Sequence, residues 1–190
     1  MSISRRSLLG IGGGALAAAV AFGTKGTALA APAIIGVKEL PARTLSFDCY
    51  YTGEYVKRAT YWADGEYIDG ALDEINRALR DWRADEVHPI DVKLLDLLYQ
   101  LGRNLDTDCH FELVSAYRSP KTNAMLHRAD PGVATNSLHM QGQAADISLP
   151  GRPLRKLHEM ALAMELGGVG YYPESNFVHV DTGRVRRWLG

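Results

Sequence analysis

Ser137-Leu138-His139-Met140-Gln141-Gly142-Gln143-Ala144-Ala145-Asp146 is the stretch around which the chain is organised. It sets a histidine and a carboxylate seven residues apart, with Gly142 between them, where a tight turn can reverse the chain. Ala144 to Leu149 reads as a strand, so Asp146 enters from that strand. A second segment, Phe177-Val178-His179-Val180-Asp181, reads as another strand. Alternate side chains on a strand share a face. His179 and Asp181 therefore point one way, and Val178 and Val180 point to an apolar side.

Two histidines and a carboxylate are the ligand count of an open catalytic zinc site, which keeps one position for water. His139, Asp146 and His179 are the candidate ligands, with the Asp181 carboxylate beside them. On residue types alone the signal is weak, because scattered His and Asp usually share no role. A His2Asp set also accepts neighbours of zinc in the transition series. Other motifs fall away. His158-Glu159 resembles the start of His-Glu-x-x-His, but Leu162 stands where the second histidine is needed. Gly167-Gly168-Val169-Gly170 follows a helix instead of opening one, the wrong polarity for an anion cradle. His88, before Pro89 in a loop, and His127, with no partner at ligand spacing, are read as structural.

Around this centre the pattern predicts mixed α and β structure. Thr44 to Tyr55 suits a strand broken at Thr52-Gly53. Tyr61 to Tyr67 suits a hairpin turning at Asp64-Gly65. Its aromatics Tyr61, Trp62 and Tyr67 suit hairpin packing better than sugar stacking. Leu72, Ile75, Leu79 and Trp82 form one apolar stripe over a helix from Ala71 to Trp82. Asp91 caps a second, broadly apolar helix running to Leu105. Phe111 to Tyr117 reads as a strand, and Ser119-Pro120 opens a helix ending near Ala129. Leu154 to Leu166 is a further helix. Val169 to Tyr172 and Phe177 to Asp181 make a last hairpin around Pro173-Glu174-Ser175-Asn176. No internal repeat or second domain is visible.

The 190 residues are 46% hydrophobic and 23% charged, with a formal net charge of -1, ordinary for one globular domain. The first 30 residues hold Arg5, Arg6 and Lys25 and no acid, so the remainder is acidic. That gives no electrostatic case for nucleic acid. Ser4-Arg5-Arg6-Ser7-Leu8-Leu9, a short Gly- and Ala-rich apolar run, and Ala28-Leu29-Ala30 have the layout of a cleaved signal peptide, and the paired arginines resemble a twin-arginine signal. The run is short and glycine-rich for a spanning helix, so stable membrane insertion after cleavage is not expected. The expected division is a signal segment over 1–30, a flexible segment over 31–45 and a single domain over 46–190. Export through the Tat machinery places the chain in the periplasm or elsewhere outside the cytoplasm. Cys49 and Cys109 are then allowed a disulfide, but buried free thiols are the favoured expectation.

The motifs Ser115-Ala116-Tyr117-Arg118-Ser119-Pro120, Ser137-x-His139-x-x-Gly142-x-Ala144-x-Asp146 and Phe177-Val178-His179-Val180-Asp181 resemble the zinc peptidases of the M15 type. That group includes D-alanyl-D-alanine carboxypeptidases and shares a fold with the hedgehog signalling domain. From Thr52-Gly53-Glu54 to Trp188 the chain is similar to the DUF882 or YcbK-like branch, which includes murein endopeptidases. The resemblance implies an α+β fold in which a small antiparallel sheet carries the metal site between flanking helices. It implies Zn2+ held by His139, Asp146 and His179, with peptidoglycan stem peptides and cross-links as substrate. It further implies that Arg118 stabilises the oxyanion, and that Ser137 and Tyr117 contact substrate. Many relatives carry a general base Glu three residues before the last histidine, where this chain has Asn176. Asp181 and Glu174 are the candidate bases, with Asp181 favoured; Asp181 is alternatively a partner that orients a ligand histidine.

The leading expectation is an exported zinc endopeptidase of the bacterial wall. The alternatives are a D-alanyl-D-alanine carboxypeptidase, for which Arg152 or Arg155 would have to hold the terminal carboxylate, and a non-catalytic zinc-containing module that binds peptidoglycan. The plainest alternative is an exported protein whose His and Asp are structural.

Overall fold

The structure, a computed structural model, describes residues 41–190. The expected signal segment, and the expected flexible segment up to residue 40, lie outside the described residues. Regular structure starts earlier than expected, at Arg43, because Leu45 and Phe47 are fully buried. Strand β1 (Arg43–Cys49) turns through Tyr50–Gly53 into β2 (Tyr55–Ala63), which returns antiparallel. β3 (Glu66–Tyr67) closes the hairpin at Asp64-Gly65. Both turn residues have positive φ, +53° and +90°, as a two-residue hairpin turn requires.

The remaining strands are β4 (His110–Ser115), β5 (Ala144–Ser148), β6 (Gly168–Tyr172), β7 (Phe177–Asp181) and β8 (Arg186–Leu189). They join one sheet of eight strands in the order β3-β2-β1-β4-β5-β7-β6-β8. Only β1 with β4 and β6 with β8 are parallel. The fold is α+β as expected, but the sheet is larger than expected. β8 has no counterpart among the expected elements, since Arg186-Arg187-Trp188-Leu189 is short and charged.

Helix α1 spans Asp69–Ala78, α2 Val92–Asn104, α3 Pro120–Ala129 and α4 Leu154–Met164. α1 packs on β2, α2 on β1 and α4, and α4 on β6 and β7. Leu94, Leu95, Leu98 and Leu101 of α2 are fully buried, each worth about 1.5–3 kcal/mol over exposure. The local signals hold at both expected caps. The Asp91 carboxylate accepts from Lys93 N, and the Ser119 hydroxyl accepts from Thr122 N with Pro120 in the first turn.

α1 differs from the expected Ala71–Trp82. It starts two residues earlier and stops at Ala78. Beyond Leu79, Asp81 and Glu86 exchange backbone hydrogen bonds, and Arg80 is drawn to Glu54 at 2.7 Å and Asp85 at 2.6 Å. These tertiary partners outbid another helical turn, and Trp82 leaves the apolar stripe for the surface. Cys49 and Cys109 are buried free thiols. Burial pushes the Cys49 thiol up to about 11, which keeps it protonated and unreactive.

Candidate metal centre

Three elements meet at the site. A 3-10 turn, Leu138–Gln141, carries His139, β5 carries Asp146 and β7 carries His179. Gly142 ends the turn with φ +65°, and a Cβ there would strike the Pro89 carbonyl, so the chain reverses only with glycine. Asp146 and His179 face each other in the β5–β7 register, as do Ala145 with Val180 and Ile147 with Val178. The alternation therefore sorts polar side chains to one face and apolar ones to the core.

His139 Nε2 lies 3.2 Å from His179 Nδ1, and Asp146 Oδ1 lies 3.3 Å from the first and 2.9 Å from the second. Donors 2.0–2.1 Å from a tetrahedral zinc stand about 3.3–3.4 Å apart. The triangle fits one such ion. The far side of each ring is also fixed. His139 Nδ1 donates to the Ala116 carbonyl at 2.6 Å, and His179 Nε2 donates to Asp181 Oδ2 at 2.9 Å. In the neutral ring each bond selects the tautomer whose inward nitrogen carries the lone pair.

Asp181 is fully buried and fully occupied. Oδ1 accepts from Gly168 N at 3.0 Å, Gly183 N at 2.9 Å and Arg186 Nη1 at 3.0 Å. Oδ2 accepts from Arg186 Nη2 at 2.7 Å as well as from His179. The favoured general base is thus tied up by these bonds and is absent from the cavity wall. Glu174 is exposed in the β6–β7 turn; its neighbour Ser175 lines the cavity, but Glu174 does not.

The electrostatics follow from burial and pairing. Burial opposes ionisation of Asp146 and Asp181, but the histidines, and Arg186 for Asp181, outweigh it and hold both carboxyls far below the usual range. Burial pulls His139 down, whereas bonds from both carboxylates override burial at His179 and carry it up to about 9.

A cavity of about 760 Å³ opens over the triangle. Arg118 lines it, 12% exposed, with Nη2 3.7 Å from Asp146 Oδ2 and Nη1 3.4 Å from Asn123 Oδ1. Its Nε is buried without a hydrogen-bond partner. Burial lowers the Arg118 pKa, with Asp146 pulling the other way. Ser137 lines the cavity and also caps the turn, accepting from His139 N at 3.3 Å. Tyr117 does not line it: its hydroxyl donates to Glu86 at 2.7 Å and its ring stacks on His88. Arg152 and Arg155 are also absent from the lining, and Arg155 pairs with Glu159.

Several cavity residues escaped the sequence reading. Asp130 lines the wall. Trp188 packs 5.1 Å from the His179 ring and donates to the Tyr172 hydroxyl at 2.8 Å. Arg186 and Trp188 alternate along β8, and the Gly-x-Gly of β6 was the available signal. A Cβ on Gly170 would sit 2.6 Å from the Trp188 indole, so that glycine admits the ring.

The chain is similar to known peptidoglycan endopeptidases. The family model described as peptidoglycan L,D-endopeptidase MepK, Peptidase_M15_2, matches residues 38–188. The peptidoglycan L,D-endopeptidase MepK of Escherichia coli strain K12 is 41% identical over 185 residues, 97% of each chain. The probable peptidoglycan L,D-endopeptidase MepK of Haemophilus influenzae is 41% identical over 149 residues, 78% of this chain and 80% of its own.

Proposed function

Because the chain belongs to the Peptidase_M15_2 family, we propose that it is an exported zinc endopeptidase that hydrolyses peptide bonds in the cross-links of bacterial peptidoglycan. The observation that carries this is the triangle of His139, Asp146 and His179 at the floor of a cavity that also holds an under-partnered arginine.

His139 Nε2, His179 Nδ1 and Asp146 Oδ1 would hold the ion. Zinc, when bound, supplies a water acidified toward pKa ~7 and a Lewis acid for the amide carbonyl. The Ala116 carbonyl and Asp181 keep the two rings aimed, so the donors are set before the ion arrives. Arg118, in the cavity wall, stabilises the charge that develops on the scissile carbonyl oxygen through its guanidinium. Ser137 offers a hydroxyl to the substrate backbone. Asp181 serves as the orienting carboxylate, since its oxygens already hold five donor contacts. Glu174 and Asp130, on loops flanking the cavity, remain as proton acceptors, to be compared as Glu174→Gln and Asp130→Asn. A carboxypeptidase would need a further free cation for the terminal carboxylate; Arg186 is engaged by Asp181, which favours the endopeptidase.

One observation favours a second reading, a zinc-containing module that binds wall peptides without cutting them. Asn176 replaces the base of many relatives, and Asp181 is occupied. Digestion of purified peptidoglycan separates the two. Chelator-sensitive release of peptide fragments, lost in His139→Ala, supports the peptidase and identifies the bond. A folded, zinc-loaded protein that binds sacculi and releases nothing supports the module.

A further inference from the structure

Two loops, one of them tied through Asp81 to Ser119 beside Arg118, carry aromatic rings that the core does not use. Tyr50 and Tyr51, in the β1–β2 turn, are 70% and 52% exposed, and Trp82, in the loop after α1, is 36% exposed. They form one group. Tyr51 stacks on Trp82 with centroids 4.8 Å apart, and Tyr50 meets Tyr51 edge-on at 5.0 Å. The Arg83 guanidinium lies 4.2 Å from the Trp82 ring, is exposed and has no ion-pair partner among the described residues. Large apolar rings on a surface cost solvation unless a partner covers them.

The group is held rigidly. Glu54, which follows the tyrosine turn, binds Arg80, which precedes Trp82, at 2.7 Å. Tyr50 N donates to the Leu113 carbonyl at 2.9 Å, and Asp81 and Glu86 close the second loop through backbone bonds. Asp81 is 2% exposed and joins this loop to the catalytic side. Its Oδ1 accepts from Arg83 N at 3.0 Å, while its Oδ2 accepts from Ser119 N at 2.9 Å, the residue after Arg118. β1 and β4 are parallel, so the tyrosine turn and the Arg118 segment also leave the sheet at the same end. A surface so pre-ordered loses little entropy on binding.

We propose that Tyr50, Tyr51, Trp82 and Arg83 form a carbohydrate platform that receives the glycan strand of the wall while the attached peptide enters the metal cavity. The proposal rests on the peptidoglycan reading above. Aromatic surfaces complement the C–H faces of N-acetylated sugars, and the guanidinium supplies donors to their acetamide carbonyl and hydroxyl oxygens. A cross-link joins peptides that hang from sugar chains, so a site cutting it meets glycan at the cavity rim.

The test uses the zinc-loaded protein, oligomers of β-1,4-linked N-acetylglucosamine, intact sacculi and a soluble cross-linked peptide dimer freed of sugar. The oligomer is expected to bind the wild type, measured calorimetrically, and to bind Tyr51→Ala and Trp82→Ala about tenfold more weakly. The same variants are expected to raise KM on sacculi with kcat unchanged, and to cleave the sugar-free dimer as the wild type does. Tyr51→Phe, which keeps the ring, retains both properties. Equal losses on sacculi and dimer, or no oligomer binding by the wild type, would overturn the platform. If the wild type cuts neither substrate, the peptidase reading fails, while ring-dependent oligomer binding still supports the platform.

Discussion

Replacing Arg186 by Gln would strip a bidentate partner from a carboxylate that is fully buried. Asp181 would keep its backbone donors but lose the cation that fixes it against His179 Nε2. The ring would then be aimed less firmly, and zinc affinity should fall about 10–100-fold, read by chelator competition on the unloaded protein. Arg186→Lys, which keeps charge without the fork, should fall between. Arg118 predicts the opposite pattern. It lies 3.7 Å from Asp146 but has no bond to either ring. Arg118→Ala should leave zinc stoichiometry intact and lower kcat about 10²–10³-fold, the effect of removing one oxyanion donor. Equal loss of metal in both variants would refute this division of labour.

At the scale of elements, β6 and β8 are interlocked by glycine. Gly170→Ala would drive a methyl into the Trp188 indole, 2.6 Å from the ideal Cβ position. Overpacking of this kind costs about 1–3 kcal/mol, to be read as a lower denaturant midpoint with unchanged slope. Gly70, inside α1, has nothing within 4 Å of the same position. Gly70→Ala should therefore stabilise, by up to about 1 kcal/mol. The two signs together check that close approach, not glycine as such, sets the outcome. The same contrast explains what the sequence made legible. Asp91, Ser119 and Pro120 announced helix starts because capping is settled within one turn of chain. The alternation in Phe177–Asp181 sorted His179 from Val178 because a strand has a period of two. The end of α1 was not legible, because Glu54, Asp85 and Glu86 capture the chain from outside the helix. β8 was hidden because its role lies in what Arg186 and Trp188 touch across the sheet.

The whole molecule is built on a centre whose like and unlike charges are held together by burial, so its stability should depend on pH and metal jointly. The His179 pKa is raised to about 9, so its contribution is complete below the unfolded value near 6.5 and is lost as pH rises from there through 9. The same contacts appear from the other side in Asp146 and Asp181. Their pKa values are depressed, so that contribution exists above about pH 4 and is lost as acid protonates them. His139 is lowered, so below about pH 6.5 the unfolded chain takes up a proton that the buried ring refuses, and stability falls with pH there too. The metal-free protein should thus be most stable near pH 6.5 and weaken on both sides. Zinc removes the alkaline limb and steepens the acid one. A ligating ring must be neutral, so binding displaces the His179 proton, and zinc affinity should climb about tenfold per pH unit between 6.5 and 9. Over that range the melting temperature of the metal-free protein should fall while that of the zinc-loaded protein stays level. A gap between the two that does not widen with pH would show that the His179 proton is not the one zinc displaces.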